Sequence, residues 1–388
     1  MAYSFTERPS KLPGTGTTIF SVMSALARSC GAINLSQGFP DFPSDPRLIE
    51  GVHRHMQAGH NQYAPMPGLP ALRDAIAGKM ARTQGVDLDP ETEITVTAGA
   101  TQGLFSAIQA LVHPGDEVLL FEPAYDLYRP AVELAGGRAV AHQLKAPDYA
   151  VDWEAVERLI GPRTRFVLVN TPHNPTGSIL SRSDWQALER LAEKHALFVL
   201  SDEVYEHLIF DGVQHCGALQ WPALRDRSLA FFSFGKTFHN TGWKVGYVAG
   251  APGLMQEVRK VHQYTVFSVH TPTQYALADY LQDPQTYLGL PAFFQKKRDR
   301  FVRALADSPF RPLPCWGTYF VTCNMRALSD LPDVEFARWF TREHGIATIP
   351  VSVFNHSGLD EGVVRFCFAK TDGVLERAAS KLKALAAA

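Results

Sequence analysis

Between residue 94 and about residue 250, short apolar runs alternate with segments whose apolar residues recur every three or four positions. The runs are Ile94–Thr97, Glu117–Phe121, Arg138–Ala141, Phe166–Asn170, Leu197–Ser201, Leu229–Phe232 and Tyr247–Ala249. Each is short and rich in β-branched or large apolar residues, so each reads as a strand. Between two of them, Ser181-Arg182-Ser183-Asp184 has the form of a capping box. It opens a helix with Trp185, Leu188, Leu191 and Ala192 on one face. Strands alternating with amphipathic helices predict an α/β fold, a mainly parallel sheet covered on both faces. In such sheets, ligands sit at the carboxyl ends of the strands.

The flanks read differently. Upstream, Leu69, Leu72, Ile76 and Met80 mark one face of a helix. Downstream, helices are expected around Leu254, Val258 and Val261, and from Thr273 to Leu281. Strands are expected at Gly317–Val321 and Val363–Phe368. A helix with Phe336, Trp339 and Phe340 inward lies between them. A last helix opens at Asp372 with Leu375, Ala379, Leu382 and Leu385, and frays at the terminal alanines. This is a smaller α+β unit after the α/β one. The run Lys296–Arg300 reads as the wet face of a helix, not a nucleic-acid patch.

Composition narrows the classes. The chain has 388 residues, 46% hydrophobic and 20% charged, enough for two domains with their own cores. A formal charge of −2 gives no reason to expect nucleic acid or an acidic membrane as partner. No apolar stretch is long enough to span a bilayer, and Met1–Arg8 lacks the pattern of a signal peptide. Five scattered cysteines (Cys30, Cys216, Cys315, Cys323, Cys367) form no Cys-x-x-Cys pair and read as reduced thiols of a cytoplasmic protein. His53 and His55 are two apart and splay on a helix, so no metal site is expected. Lys11–Thr18 is glycine-rich, but without a strand ahead of it or a third glycine it reads as an arm or loop.

Four loops after strands carry candidate chemistry. Thr97–Gln102 joins a strand to a helix expected to begin near Gly103. Small residues there could leave N–H groups free for an anion, and a plain turn would look the same. Asn170–Gly177 holds two prolines that fix a rigid loop and push Asn174 extended, so that its amide projects; His173 is taken as structural. Asp202 follows an apolar strand, where an unpaired carboxylate is costly, so it needs a cationic partner such as a protonated pyridine nitrogen, or else caps a helix. Lys236 sits at a strand mouth among small and hydroxyl residues, where burial would make its amine nucleophilic; a solvated lysine is the alternative.

Taken together, Asn174-Pro175-x-Gly177, Asp202-x-x-Tyr205, Ser233-x-x-Lys236 with Gly242 and Gly246, and Arg365 resemble the class I/II aminotransferases of fold type I. The resemblance covers essentially the whole chain. Asn34–Phe42, Gln62–Pro65, Gly235–Phe238 and Arg365–Lys370 are most similar to the bacterial methionine aminotransferase and kynurenine aminotransferase subgroup. It implies an N-terminal arm that is part of a small domain (1–45), a large cofactor domain with a seven-stranded sheet (46–280) and a small C-terminal α+β domain (281–388). It also implies a homodimer with shared active sites. The cofactor implied is pyridoxal 5′-phosphate, held by Lys236 as a Schiff base, with Lys236 also moving the proton between carbons. By the same resemblance, Asp202 pairs with the ring nitrogen, Asn174 and Tyr205 bond the ring hydroxyl, and Tyr125 stacks on the ring. Ala100, Thr101, Ser233 and Lys244 hold the phosphate, joined by Tyr63 of the partner subunit. Arg365, with Asn174 and the Gly38 backbone, clamps the substrate carboxylate; Phe39 lies beside it. Many relatives have arginine where this chain has Lys244, so its grip on phosphate should be less directed.

The candidate side-chain pocket, Phe39, Tyr63, Tyr125, Tyr264, Phe267 and Phe354, is aromatic, which favours an apolar, sulfur-containing or aromatic amino acid. Methionine as donor to a 2-oxo acid, by a ping-pong mechanism, is the expectation. The alternatives are a kynurenine aminotransferase with cysteine S-conjugate β-lyase activity, an α-oxoamine synthase, and a pyridoxal-phosphate-binding regulator without catalysis.

Overall fold

The computed structural model describes residues 9–385. The N-terminal eight residues and the terminal alanines, 386–388, where a frayed end was expected, lie outside them. Seven strands form the main sheet: β1 (Ile94–Thr97), β2 (Glu117–Glu122), β3 (Arg138–Gln143), β4 (Thr164–Asn170), β5 (Phe198–Asp202), β6 (Ser228–Ser233) and β7 (Gly246–Gly250). Their order is β1-β7-β6-β5-β4-β2-β3. β7 runs antiparallel to both neighbours and every other pairing is parallel.

Two-residue alternation feeds both faces of this sheet. Val118, Leu120, Phe166 and Leu168 join one buried cluster with Leu104, Ile108, Met255 and Val258 of the helices Gly99–Leu111 and Pro252–Thr265. Leu119, Phe121, Val167 and Val169 join another with Trp185, Leu188 and Leu191 of the helix Arg182–His195. A strand apolar on both sides needs helices on both sides. The capping box forms as expected: Ser181 Oγ accepts from Asp184 N at 3.2 Å, and Asp184 Oδ2 accepts from Ser181 N at 2.8 Å.

A four-stranded antiparallel sheet lies in the C-terminal part. Its order is Ile349–Pro350, Val363–Cys367, Phe320–Asn324, Arg311–Pro312. Ile33–Asn34 pairs with Ile346–Ala347, which ties the first segment of the chain to the last.

Three sequence expectations are corrected. The helix expected near Gly103 begins at Gly99, so Ala100 and Thr101 stand in its first turn. The strand expected at Gly317–Val321 begins at Phe320, because Thr318 takes a left-handed backbone (φ 67°) that breaks the extension. The run Lys296–Arg300 is only half wet. Lys297 and Arg298 turn inward, bonding the Lys370 carbonyl at 2.9 Å and both Asp211 oxygens at 2.6 and 2.7 Å.

A buried ion pair locks the helix Pro70–Gln84 onto the loop after β5. Lys79, 2% exposed, pairs with Glu206 and lies 3.0 Å from Tyr247 Oη. Gln84 Nε2 donates to the other Glu206 oxygen at 3.1 Å. Burial raises the Glu206 pKa, but Lys79, with His207 and His215, outweighs it and holds the carboxyl down at about 2. A depressed carboxylate contributes stability that is complete above its ordinary range and lost as the pH falls toward 2. Glu206→Ala strands the buried Lys79 ammonium and is expected to cost about 3 kcal/mol at pH 7, measured by urea unfolding.

Candidate active site

The loops at the carboxyl ends of β1, β4, β5 and β6 converge on a cavity of about 170 Å³. Ala100, Thr101, Tyr125, Asn174, Asp202, Tyr205, Ser233, Lys236 and Lys244 all line it. Residues up to 144 positions apart in sequence are thus brought to one place by strand order alone.

Lys236 sits in the short helical turn Phe234–Thr237, capped by Ser233 Oγ, which accepts from Lys236 N at 3.3 Å. Burial pulls the amine pKa down to about 8. Its Nζ donates to Tyr319 Oη at 3.0 Å and to the Gly38 carbonyl at 3.3 Å. An amine buried this way is uncharged about a tenth of the time at pH 7, far more than an exposed lysine, and the uncharged form is the one imine chemistry requires.

Asp202 ends β5, nearly inaccessible. It accepts from Tyr128 Oη at 2.6 Å and from Val204 N at 3.3 Å. Burial pushes its pKa up to about 6, against the lowering effect of Tyr128. Among the described residues no cation lies within salt-bridge distance of it. That is the environment a protonated ring nitrogen would complete.

Arg365 is 1% exposed and no carboxylate lies within salt-bridge distance of it among the described residues. Nη1 donates to Asn174 Oδ1 at 2.6 Å, Nη2 donates to the Ser36 carbonyl at 3.3 Å, and Nε is buried without a partner. The guanidinium lies 3.8 Å from the Phe320 ring centre and 5.4 Å from those of Phe20 and Phe354. Burial lowers its pKa to about 10, still charged at pH 7. A buried guanidinium with unused donors fits a carboxylate.

At the other end, the first turn of the helix Gly99–Leu111 presents Ala100 and Thr101 N–H groups beside Ser233 and Lys244. A Cβ on Gly246 would come within 2.3 Å of the Phe232 carbonyl and 2.9 Å of Ala100 N, so only glycine lets β7 pass this close. Free N–H groups, the helix dipole and an ammonium make an anion cradle. An amine, a ring-nitrogen partner and an anion cradle in one cavity fit pyridoxal phosphate.

Other sequence candidates fall elsewhere. Tyr63 is 82% exposed, packs edge-on to Phe267 at 5.5 Å, and lies outside the cavity, as does the exposed Tyr264. The Phe39 ring is half-exposed under Lys370 Nζ, 5.1 Å away. Gly38 is in place: a Cβ there would meet the Phe320 ring at 2.8 Å. His173 is buried, bonded to Thr176 Oγ1 at 2.7 Å, and pushed down by burial to about 4, hence neutral and structural. His55 points to His60 and Asp279 rather than to His53, and no cluster of metal-ligating residues occurs among the described residues. The cysteines are unpaired. Sequence reasoning missed Tyr128, Tyr319, Phe20 and Phe320. Only the Tyr319-Phe320 strand signal hinted at any of them.

The family profile for aminotransferase class I and II matches residues 31–382. The chain is 50% identical over 377 residues to the methionine aminotransferase of Escherichia coli, covering 97% of this chain and 98% of that one. It is 34% identical to mouse kynurenine–oxoglutarate transaminase 1, covering 90% and 91%. The crystal structure of YbdL from Escherichia coli, described as having a methionine aminotransferase function, superimposes with a TM-score of 0.96 at 50% identity, over 97% of this chain and 99% of that one.

Proposed function

Because the chain belongs to the class I and II aminotransferases, which use pyridoxal phosphate, we propose that it moves the amino group of an apolar, sulfur-containing or aromatic L-amino acid, methionine by preference, to a 2-oxo acid. The observation that carries the substrate class is Arg365, a buried guanidinium with free donors in contact with Asn174 at the cavity. Its fork takes the α-carboxylate, which brings Cα toward the Lys236 amine. Support for methionine comes from the similarity to the Escherichia coli relative and from the aromatic rings of Phe20, Phe320 and Phe354 around the clamp, on whose edges a thioether packs well.

When bound, pyridoxal phosphate supplies a carbonyl carbon for imine exchange and a cationic ring that takes up the electron pair released at Cα. Lys236 is the amine that holds the carbonyl carbon and, once free, the base that carries the proton. Asp202 keeps the ring nitrogen protonated, and Asn174 and Tyr205 bond the ring hydroxyl. Tyr125 covers the ring, and Ala100, Thr101, Ser233 and Lys244 hold the phosphate. We place the cofactor unit at 46–280, with 1–45 and 281–388 forming the small unit. The chain works as a cytoplasmic homodimer in which exposed Tyr63 reaches the partner's phosphate and Tyr264 and Phe267 are covered. A monomer in sedimentation at working concentration would remove the shared-site reading, and recovery outside the cytoplasmic fraction would remove the location.

The test is spectroscopic. Adding L-methionine without acceptor is expected to abolish the visible band of the bound cofactor, and a 2-oxo acid to restore it. A donor panel in which aspartate far outruns methionine would overturn the preference. Pyruvate and ammonia released from a cysteine S-conjugate without acceptor would reveal β-elimination at the same site.

A further inference from the structure

Lys370 is 3% exposed, and no carboxylate among the described residues lies within salt-bridge distance of it. A buried ammonium without a counter-ion is costly. What meets it is one short stretch of backbone. Nζ donates to the Phe39 carbonyl at 2.9 Å and, more loosely, to the Gln37 carbonyl at 3.4 Å. The residue between those two carbonyls is Gly38. Its own carbonyl accepts from Tyr319 Oη at 2.6 Å, and a Cβ on it would stand 4.0 Å from Arg365 Nη2. The two preceding carbonyls are also taken: Leu35 accepts from Cys367 N at 2.8 Å and Ser36 from Arg365 Nη2 at 3.3 Å. The Gly38 N–H, by contrast, donates to none of the described residues.

We infer that Lys370 is a positioning residue of the substrate-carboxylate seat: by holding the carbonyls before and after Gly38, it aims the Gly38 N–H as a further donor beside the Arg365 guanidinium and the Asn174 amide. The Gln37 carbonyl and the Gly38 N–H belong to one trans peptide unit, which is planar, with its N–H pointing opposite to its C=O. Turning that carbonyl to Lys370 therefore turns the N–H away from it. Glycine resists such rotation less than any other residue, so the orientation has to be imposed from outside. The loop itself does not depend on the ammonium. Asp41 N donates to the Ala369 carbonyl at 3.3 Å, and Asp41 Oδ1 accepts from Thr371 N. What is lost without Lys370 is the orientation of one peptide unit between fixed neighbours.

This inference rests on the carboxylate seat of the proposed aminotransferase, and Lys370→Met in the loaded enzyme tests it with three ligands. An N–H aimed at a carboxylate is worth about 10- to 100-fold in affinity. The L-methionine concentration that half-saturates the single-turnover half-reaction is expected to rise by that factor, with the limiting rate within about threefold of wild type. Binding of 3-(methylthio)propanoate, which has the carboxylate but no amine, is expected to weaken equally in calorimetry, where no chemistry occurs. Spectral titration with 3-(methylthio)propylamine, which has the amine but no carboxylate, is expected to be unchanged. A general loosening of the site would weaken all three together. Unchanged half-saturation by methionine, unchanged propanoate binding, or an equal loss with the propylamine overturns the inference. If Lys370→Met does not fold by circular dichroism, Lys370→Gln decides, since its shorter amide cannot serve both carbonyls. The same carboxylate-specific loss is then expected, smaller, and its absence overturns the inference. Wild-type protein that does not react with methionine would reject the donor and leave the propanoate calorimetry to decide.

Discussion

Lys236→Ala is expected to lower the rate of amino transfer from L-methionine by about 10⁴-fold or more and to abolish covalent attachment of pyridoxal phosphate. Two functions are removed at once. General acid–base catalysis alone is worth about 10²–10⁴-fold, and the covalent amine adds to it. The geometry leaves no substitute. Lys244 lies at the other end of the cavity, where Gly99 approaches its Nζ. Tyr319 and Tyr205 have pKa values raised by burial, so they stay protonated. The check is single-turnover absorbance with borohydride trapping and peptide mapping. A variant that still traps cofactor covalently at another lysine, or that keeps a rate within tenfold of wild type, would contradict the assignment. Stability at pH 7 should not fall and is expected to rise, since Lys236→Ala removes an ammonium that burial destabilises in the folded state.

Asp202→Asn is the second. The isosteric amide keeps the shape of the site but removes the charge proposed to face the ring nitrogen. Removing one partner of a buried charge pair costs about 3–5 kcal/mol, which corresponds to roughly 10²–10⁴-fold in rate. The cofactor should still attach to Lys236, so trapping separates this variant from Lys236→Ala. Stability should move the other way. The folded pKa of Asp202, about 6, lies above its ordinary value. The folded state then holds that proton more tightly than the unfolded chain. The resulting penalty is absent at pH below the ordinary carboxylate range and fully present above about pH 6. The cofactor-free Asp202→Asn protein is therefore expected to be more stable than wild type at pH 8, by about 1–3 kcal/mol, with the difference vanishing below pH 4. Urea unfolding at the two pH values measures it. Equal stability at pH 8 would mean that the carboxylate is better solvated than its burial implies. A site that gives up stability to keep a charge ready is a common trade.

The period of apolar positions was enough to determine the α/β class, the seven strands and the helix with its capping box at Ser181. These depend on local alternation and on side chains within one turn of each other. The motifs around Asn174, Asp202 and Lys236 were legible for a related reason: each lies in the loop directly after a strand, where a parallel sheet gathers such residues whatever the details. Contacts made across the chain were not legible. Lys297 and Arg298 look like surface charges until the Lys370 carbonyl and Asp211 meet them. Tyr128 reaches Asp202 across 74 residues, and Tyr319 reaches Gly38 across 281. No periodicity encodes such pairings. They follow from which strands lie side by side, and, for Tyr319, from a left-handed turn at a threonine that by itself prefers to stay extended. The sequence by itself determined which chemistry the chain carries. Only the tertiary structure decided which hydroxyl meets the Lys236 amine, because that depends on packing between segments that no local rule connects.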